Sequence, residues 1–210
     1  MQILDLAPTA LTTLFVTVGP IEAAPIFLAL TANDDAPTRR RLAITASVIA
    51  AVILVLFAIG GIRVLQLLQV GLPAFRLAGG ILLLMMAADL LLAHRSSLSS
   101  ITKGEEREAK SRSDIAVFPL AIPLIAGPGS MTAVVLLMSK AHGWTEQGVV
   151  IGSILAIIAL TCVAMFAAGG LNRVLGVMGN NVVARVSGIL LAALAMQYVL
   201  DGLQQSGIFR

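Results

Sequence analysis

Gly19-Pro20-Ile21-Glu22-Ala23-Ala24-Pro25 lies in the middle of an apolar block that runs from Pro8 to Thr31. The block is long enough to cross a hydrocarbon core of about 30 Å, which takes roughly 20 residues of helix. Its centre carries what a helix tolerates least. Pro20 and Pro25 each lack an N–H and press on the preceding turn. Gly19 adds backbone freedom. Glu22 puts an ionisable group at a depth where insertion costs about 2.5–3.5 kcal/mol for Asp, Lys or Arg. The stretch therefore predicts a membrane helix that is kinked or unwound, with Glu22 turned to the protein interior.

Five more blocks of similar length follow, at 42–63, 72–93, 116–138, 148–171 and 180–202. Across the 210 residues, 58% are hydrophobic and 12% charged, against about 25% charged in a soluble domain. The mean hydropathy is +0.98. So little charge cannot coat a water-exposed surface, and the apolar residues come in blocks rather than amphipathic stripes, so lipid is the expected solvent. The net charge of +3 does not point to nucleic acid, because the basic residues sit in the gaps between blocks, where an orienting bias belongs. The single cysteine, Cys162, sits inside a block, so an intramolecular disulfide is excluded. The first eight residues contain Asp5 and no Lys or Arg. That is not a cationic leader, and the first block is expected to remain as a helix.

The chain echoes itself. Phe57-Ala58-Ile59-Gly60-Gly61-Ile62 recurs 109 residues later as Phe166-Ala167-Ala168-Gly169-Gly170-Leu171. Arg76-Leu77-Ala78-Gly79 recurs at the same offset of 109 as Arg185-Val186-Ser187-Gly188. Gly19-Pro20 recurs as Gly127-Pro128 at an offset of 108. Each half then has three spans, and an odd number starts the second half on the opposite side of the membrane. The expected fold is an all-α membrane protein of six transmembrane helices, arranged as two inverted three-helix repeats, with helices one and four broken at Gly and Pro. The first repeat is 1–93, the second 115–210, and 94–114 is a hydrophilic linker rich in charge and serine, too polar to bury a core. Ten Lys and Arg lie on the linker's side of the membrane and four (Arg63, Arg76, Lys140, Arg210) on the other. That bias makes the linker cytoplasmic and puts both termini on the periplasmic or extracellular side, as expected in a bacterial inner (cytoplasmic) membrane.

The counterpart of the opening stretch is Pro123-Leu124-Ile125-Ala126-Gly127-Pro128-Gly129-Ser130, still richer in breakers. A matched pair of interrupted spans is the strongest sequence pointer to a transporter's central site. Broken helices offer N-termini that favour a carboxylate and free carbonyls that favour an ammonium or cation. Together they suit a small zwitterion. The candidate substrate-binding residues are Gly19, Pro20, Glu22, Pro25, Gly127, Pro128, Gly129 and Ser130. Glu22 and Asp89 are the candidates for coupling to a proton or Na⁺. Arg76 and Arg185 hold equivalent repeat positions and read as helix-end anchors, with a gating pair as the other use. His94 and His142 have no partners at metal-ligand spacing, so no metal or cofactor is expected. The HExxH, GxSxG and GxxxxGK[ST] patterns are absent, so neither catalysis nor nucleotide-driven pumping is expected.

Gly19-Pro20-Ile21-Glu22-Ala23-Ala24-Pro25-Ile26-Phe27 resembles the Asn-Pro-Ile-Gly-Asn-x-Pro-x-Phe segment of the MarC family, and Pro119-Leu120-Ala121-Ile122-Pro123-Leu124-Ile125-Ala126-Gly127-Pro128-Gly129-Ser130 is similar to that family's most distinctive stretch. The likeness extends over nearly the whole chain. It departs at Gly19, where the family's motif has Asn, and at Glu22, where it has Gly. The resemblance implies a relative of transporters for small neutral amino acids such as glycine and alanine. The resulting expectation is a secondary transporter of such a solute, in contact with the lipid bilayer. The alternatives are a non-transporting membrane scaffold and an exporter of another small solute. The sequence says nothing of oligomeric state.

Overall fold

The computed structural model describes residues 3–31, 34–92 and 116–206. The linker expected at 94–114 lies outside the described residues. The described chain is helical, with short turns and no strand.

The first apolar block forms two helices, α1 (Ile3–Val18) and α2 (Pro20–Leu30). Between them Gly19 is left-handed, with φ 62° and ψ 61°. Its N–H donates to the Phe15 carbonyl at 3.1 Å, the single bond by which a left-handed residue closes a helix C-terminus. Pro20 then opens α2, where its missing N–H has no partner to lose.

Helix α3 (Ala36–Leu67) starts on Asp35, whose carboxylate accepts the Thr38 N–H at 3.2 Å. Its 32 residues reach about 48 Å at 1.5 Å per residue. Leu42, Ala43, Ala46, Ala50, Leu54 and Ala58 form its buried stripe, while Ile44, Val48, Val52 and Leu56 stand exposed on the other side. Apolar side chains at helical spacing on an outer face are at home only in lipid. A turn containing left-handed Gln69 (φ 56°) leads to α4 (Leu72–Leu92).

The second half opens on a π-helix, Ala116–Ile125. Pro119 and Pro123 each remove a donor from this segment, and its wider i→i+5 pattern ends in the bond from the Ala126 N–H to the Ala121 carbonyl at 2.8 Å. Helix α5 (Pro128–Lys140) follows, again with proline in its first turn. Nine of the eleven residues from Gly129 to Ser139 are buried, namely Gly129, Ser130 and Thr132 through Met138, so this helix is enclosed on nearly every side. Helix α6 (Trp144–Phe166) turns at Ala167 into α7 (Ala168–Ser206).

That last helix departs from the sequence expectation. The fifth and sixth blocks are separated there by a gap at 172–179, whereas the backbone is helical through it for 39 residues. Nothing between Leu171 and Asn181 is a proline, and the glycines present cost a helix only about 1 kcal/mol each.

Among the described residues, four stretches are long and apolar enough to cross a membrane: Leu6–Leu28, Ala36–Leu67, Trp144–Phe166 and Arg185–Ser206. Leu72–Ala88 is a shorter apolar helix. Helix α4 lies along α7, and α1, α2 and α3 all pack on α6. Helix α5 packs against α1, α3, α4 and α6. The π-helix touches α2 and α3, and α2 touches α7. Glycines set the closest approaches. A Cβ on Gly79 would stand 1.9 Å from the Thr132 Cγ2, and one on Gly80 would stand 2.8 Å from the Ala195 carbonyl oxygen. Gly61 likewise faces Val135. Gly60, Gly169 and Gly170 have open space where a Cβ would go.

Candidate functional site at the meeting of two helix breaks

The structure brings the two breaks into contact. The Ser130 hydroxyl, in the first turn of α5, donates to the Thr17 carbonyl at 2.9 Å. Thr17 sits two residues before Gly19, in the last turn of α1, where carbonyls lose their intrahelical donors. Ser130 is fully buried, and Gly127, Pro20 and Gly129 are buried as well. Pro25 and Pro128 are half-buried. The hydroxyl of one half therefore satisfies a backbone group freed by the break in the other.

The two breaks are built differently. Gly19 is left-handed, whereas Gly127 is extended, with φ −78° and ψ 171°. Gly127 needs no glycine for its dihedrals. Gly129 needs one for space, since a Cβ there would lie 2.5 Å from Leu83 Cδ2 and 2.9 Å from Met86 Sδ. Helix α4 is thereby drawn against the start of α5.

Glu22 stands in the first turn of α2. Its carboxyl folds back over Gly19, so closely that a Cβ on that glycine would come 2.1 Å from Oε2. The Ser187 hydroxyl of α7 is its side-chain partner. Oε1 is buried without a hydrogen-bond partner. A buried carboxyl oxygen left unmatched is a costly arrangement that a ligand's donor would relieve.

Asp89 lies on the last turns of α4, and its side chain is outside the described residues, as is His94. Of the other expected residues, Gly19, Pro20, Glu22 and Pro25 belong to one break and Gly127, Pro128, Gly129 and Ser130 to the other, and the contact seen between the two is the bond from Ser130 to the Thr17 carbonyl. Sequence reasoning missed Ser187 and Thr17. Ser187 was visible only as part of the repeated Arg-x-x-Gly element, and a backbone acceptor such as the Thr17 carbonyl leaves no signal in side-chain chemistry.

Arg76 and Arg185 hold equivalent repeat positions but different surroundings. Arg76 is 7% exposed, and its guanidinium donates to the Gln205 side-chain oxygen, tying the start of α4 to the end of α7. Tyr198 is buried close to the same guanidinium, with Asp201 also near. Arg185 is exposed.

Long apolar helices with outward apolar rows, folded on one another with broken segments at the centre, define an integral multi-pass membrane protein. Residues 5–206 match the family described as MarC family integral membrane protein, and the chain belongs to that family. It is 35% identical over 191 residues to the UPF0056 membrane protein YvbG of Bacillus subtilis (strain 168), covering 91% of this chain and 90% of that one. It is 36% identical over 200 residues to a UPF0056 membrane protein of Aquifex aeolicus (strain VF5), covering 93% and 91%. The corresponding figures for YhcE of Escherichia coli (strain K12) are 34% over 198 residues, 93% and 90%. No solved structure matches the chain significantly.

Proposed function

We propose that this protein is a secondary transporter of a small zwitterionic solute, of the size of glycine or alanine, with its site where the two helix breaks meet. The observation that carries the reading is the bond from Ser130 to the Thr17 carbonyl. It joins the second half's break to the first half's, at the place where a transporter built from inverted repeats holds its substrate. Glu22, with an unmatched carboxyl oxygen, supplies an acceptor for an ammonium group. The opened helix ends supply donors for a carboxylate.

The helix pairings support two inverted three-helix repeats, 1–93 and 115–210. Exchange α1 with the π-helix, α2 with α5, α3 with α6 and α4 with α7. The contact of α2 with α7 then becomes that of α5 with α4, α2 with α6 becomes α5 with α3, and α1 with α6 becomes the π-helix with α3, all of which occur. With the linker cytoplasmic, as the Lys and Arg bias favours, both termini face outward across a bacterial inner membrane, and a proton or Na⁺ gradient drives the solute.

The test is uptake of labelled glycine and alanine into proteoliposomes, together with thermal shifts of the purified protein in the presence of amino acids. Saturable uptake and a shift with a small neutral amino acid are expected. One observation favours a second reading, a membrane scaffold: Ser130 satisfies the Thr17 carbonyl without any ligand. Absence of both uptake and thermal shift across zwitterionic solutes would establish the scaffold and overturn transport.

A further inference from the structure

We propose that the first turns of α3 form a binding site for the headgroup of an anionic glycerophospholipid. The site is a groove of about 560 Å³ lined by Ala36, Pro37, Arg40, Arg41, Ile44 and Thr45. It is separate from the helix breaks and holds whether or not the protein transports anything.

Three consecutive arginines begin this helix, and the structure divides their work. Arg39 folds back, its Nε donating to the Thr31 carbonyl at 2.9 Å, and fastens the end of α2. Arg40 and Arg41 are exposed and line the groove. No acidic side chain among the described residues is paired with either of them. Of the two acids just upstream, Asp35 is occupied in capping the helix at the Thr38 N–H, and neither Asp34 nor Asp35 lines the groove.

The helix end itself does not hold the anion. Pro37 has no N–H, the Thr38 N–H is given to Asp35, and the Arg39 N–H is given to the Asp35 carbonyl at 3.0 Å. Recognition therefore falls to the two guanidinium groups, whose forked donors match a phosphate. Ala36 and Pro37 keep the mouth of the groove clear of bulky side chains.

What lies below the arginines selects a lipid over a soluble anion. Thr45 is five residues beyond Arg40, about 7 Å further along the axis, and also lines the groove. Ile44, Val48 and Val52 continue the same face as an exposed apolar row, a track for an acyl chain. A phosphate clamp above an uninterrupted apolar track fits an amphiphile with a negative headgroup. Each basic residue near an anionic leaflet contributes roughly a factor of five in affinity.

The test uses the full chain in detergent, with phosphatidylglycerol, phosphatidylcholine and inorganic phosphate added separately, read by bound-lipid adducts in native mass spectrometry. Retained phosphatidylglycerol, weak phosphatidylcholine and no protection from lipid binding by millimolar phosphate are expected. The double variant Arg40→Gln/Arg41→Gln should bind phosphatidylglycerol about 30-fold more weakly, while Arg63→Gln at the other end of α3 leaves binding unchanged. Thr45→Trp, which fills the groove and keeps both charges, should also lose the lipid, and it serves if the double variant does not fold. Equal retention of the two lipids, undiminished binding in either groove variant, or equal loss in Arg63→Gln would overturn the proposal. Displacement of the lipid by inorganic phosphate would replace it with a soluble-anion site.

Discussion

At residue scale, Gly19 and Glu22 share one space. The motif this stretch resembles has Asn and Gly at these two positions, and this chain has Gly and Glu. The backbone explains half of the exchange, because Asn is the residue other than Gly that visits the left-handed conformation most readily. Sterics explain the rest. The Glu22 carboxyl occupies the volume that a side chain at 19 would need, with Oε2 2.1 Å from the position of its Cβ. A double-mutant cycle of Gly19→Asn and Glu22→Gly should therefore be non-additive. The expected coupling is about 0.5–3 kcal/mol in favour of the double variant, measured by unfolding in detergent. Additivity would mean that the carboxyl swings aside without cost. Ser130→Ala tests the neighbouring link. It removes the hydroxyl that donates to the Thr17 carbonyl, and a loss of about 0.5–2 kcal/mol is expected, the range of interhelical hydrogen bonds in membranes.

The elements meet through small residues. Helix α4 touches α5 through Gly79 against Thr132 and through Leu83 against Gly129. Gly79→Val puts two methyls into Thr132 and should lower the thermal midpoint markedly, whereas Gly170→Val, in open space, should change it little. The two repeated arginines offer a sharper contrast. Arg76→Ala removes a buried guanidinium and its charge-assisted bond to the exposed Gln205, and should cost about 1.5–3 kcal/mol. Arg185→Ala, at an exposed site, should fall within about 0.5 kcal/mol of the parent. Equal effects from the two would show that Arg76 carries no more than a helix-end charge.

For the whole molecule, the transport reading makes Glu22 the group whose replacement changes function before stability. Glu22→Gln keeps the shape and should alter the pH dependence of uptake in proteoliposomes while the protein remains folded. An unchanged profile would remove Glu22 from coupling. Much of this architecture was legible beforehand. Apolar blocks located the helices, and the Gly-Pro pairs located both breaks, because proline's missing N–H acts locally and leaves its mark in the sequence. What was not legible depends on neighbours. The continuous helix through 172–179 arises where no proline forces an end, and a polar, Gly-containing stretch reads the same whether helical or not. Ser187 beside Glu22 and Gln205 beside Arg76 are contacts across long separations in the chain, which no local pattern records.

Helix α5 has a consequence for how the protein is made. It is buried from Gly129 to Met138 apart from Met131, which is half-buried, so it shows almost no surface to lipid. At 13 residues it reaches only about 20 Å, and the π-helix before it carries two prolines. Such a segment has little to gain by leaving the insertion machinery alone. It can settle only once α3 and α4 are waiting to enclose it. Biogenesis of this bundle is then a matter of sequence in time: the first half must linger as a half-built shelter with one side open, and the second half completes it from within.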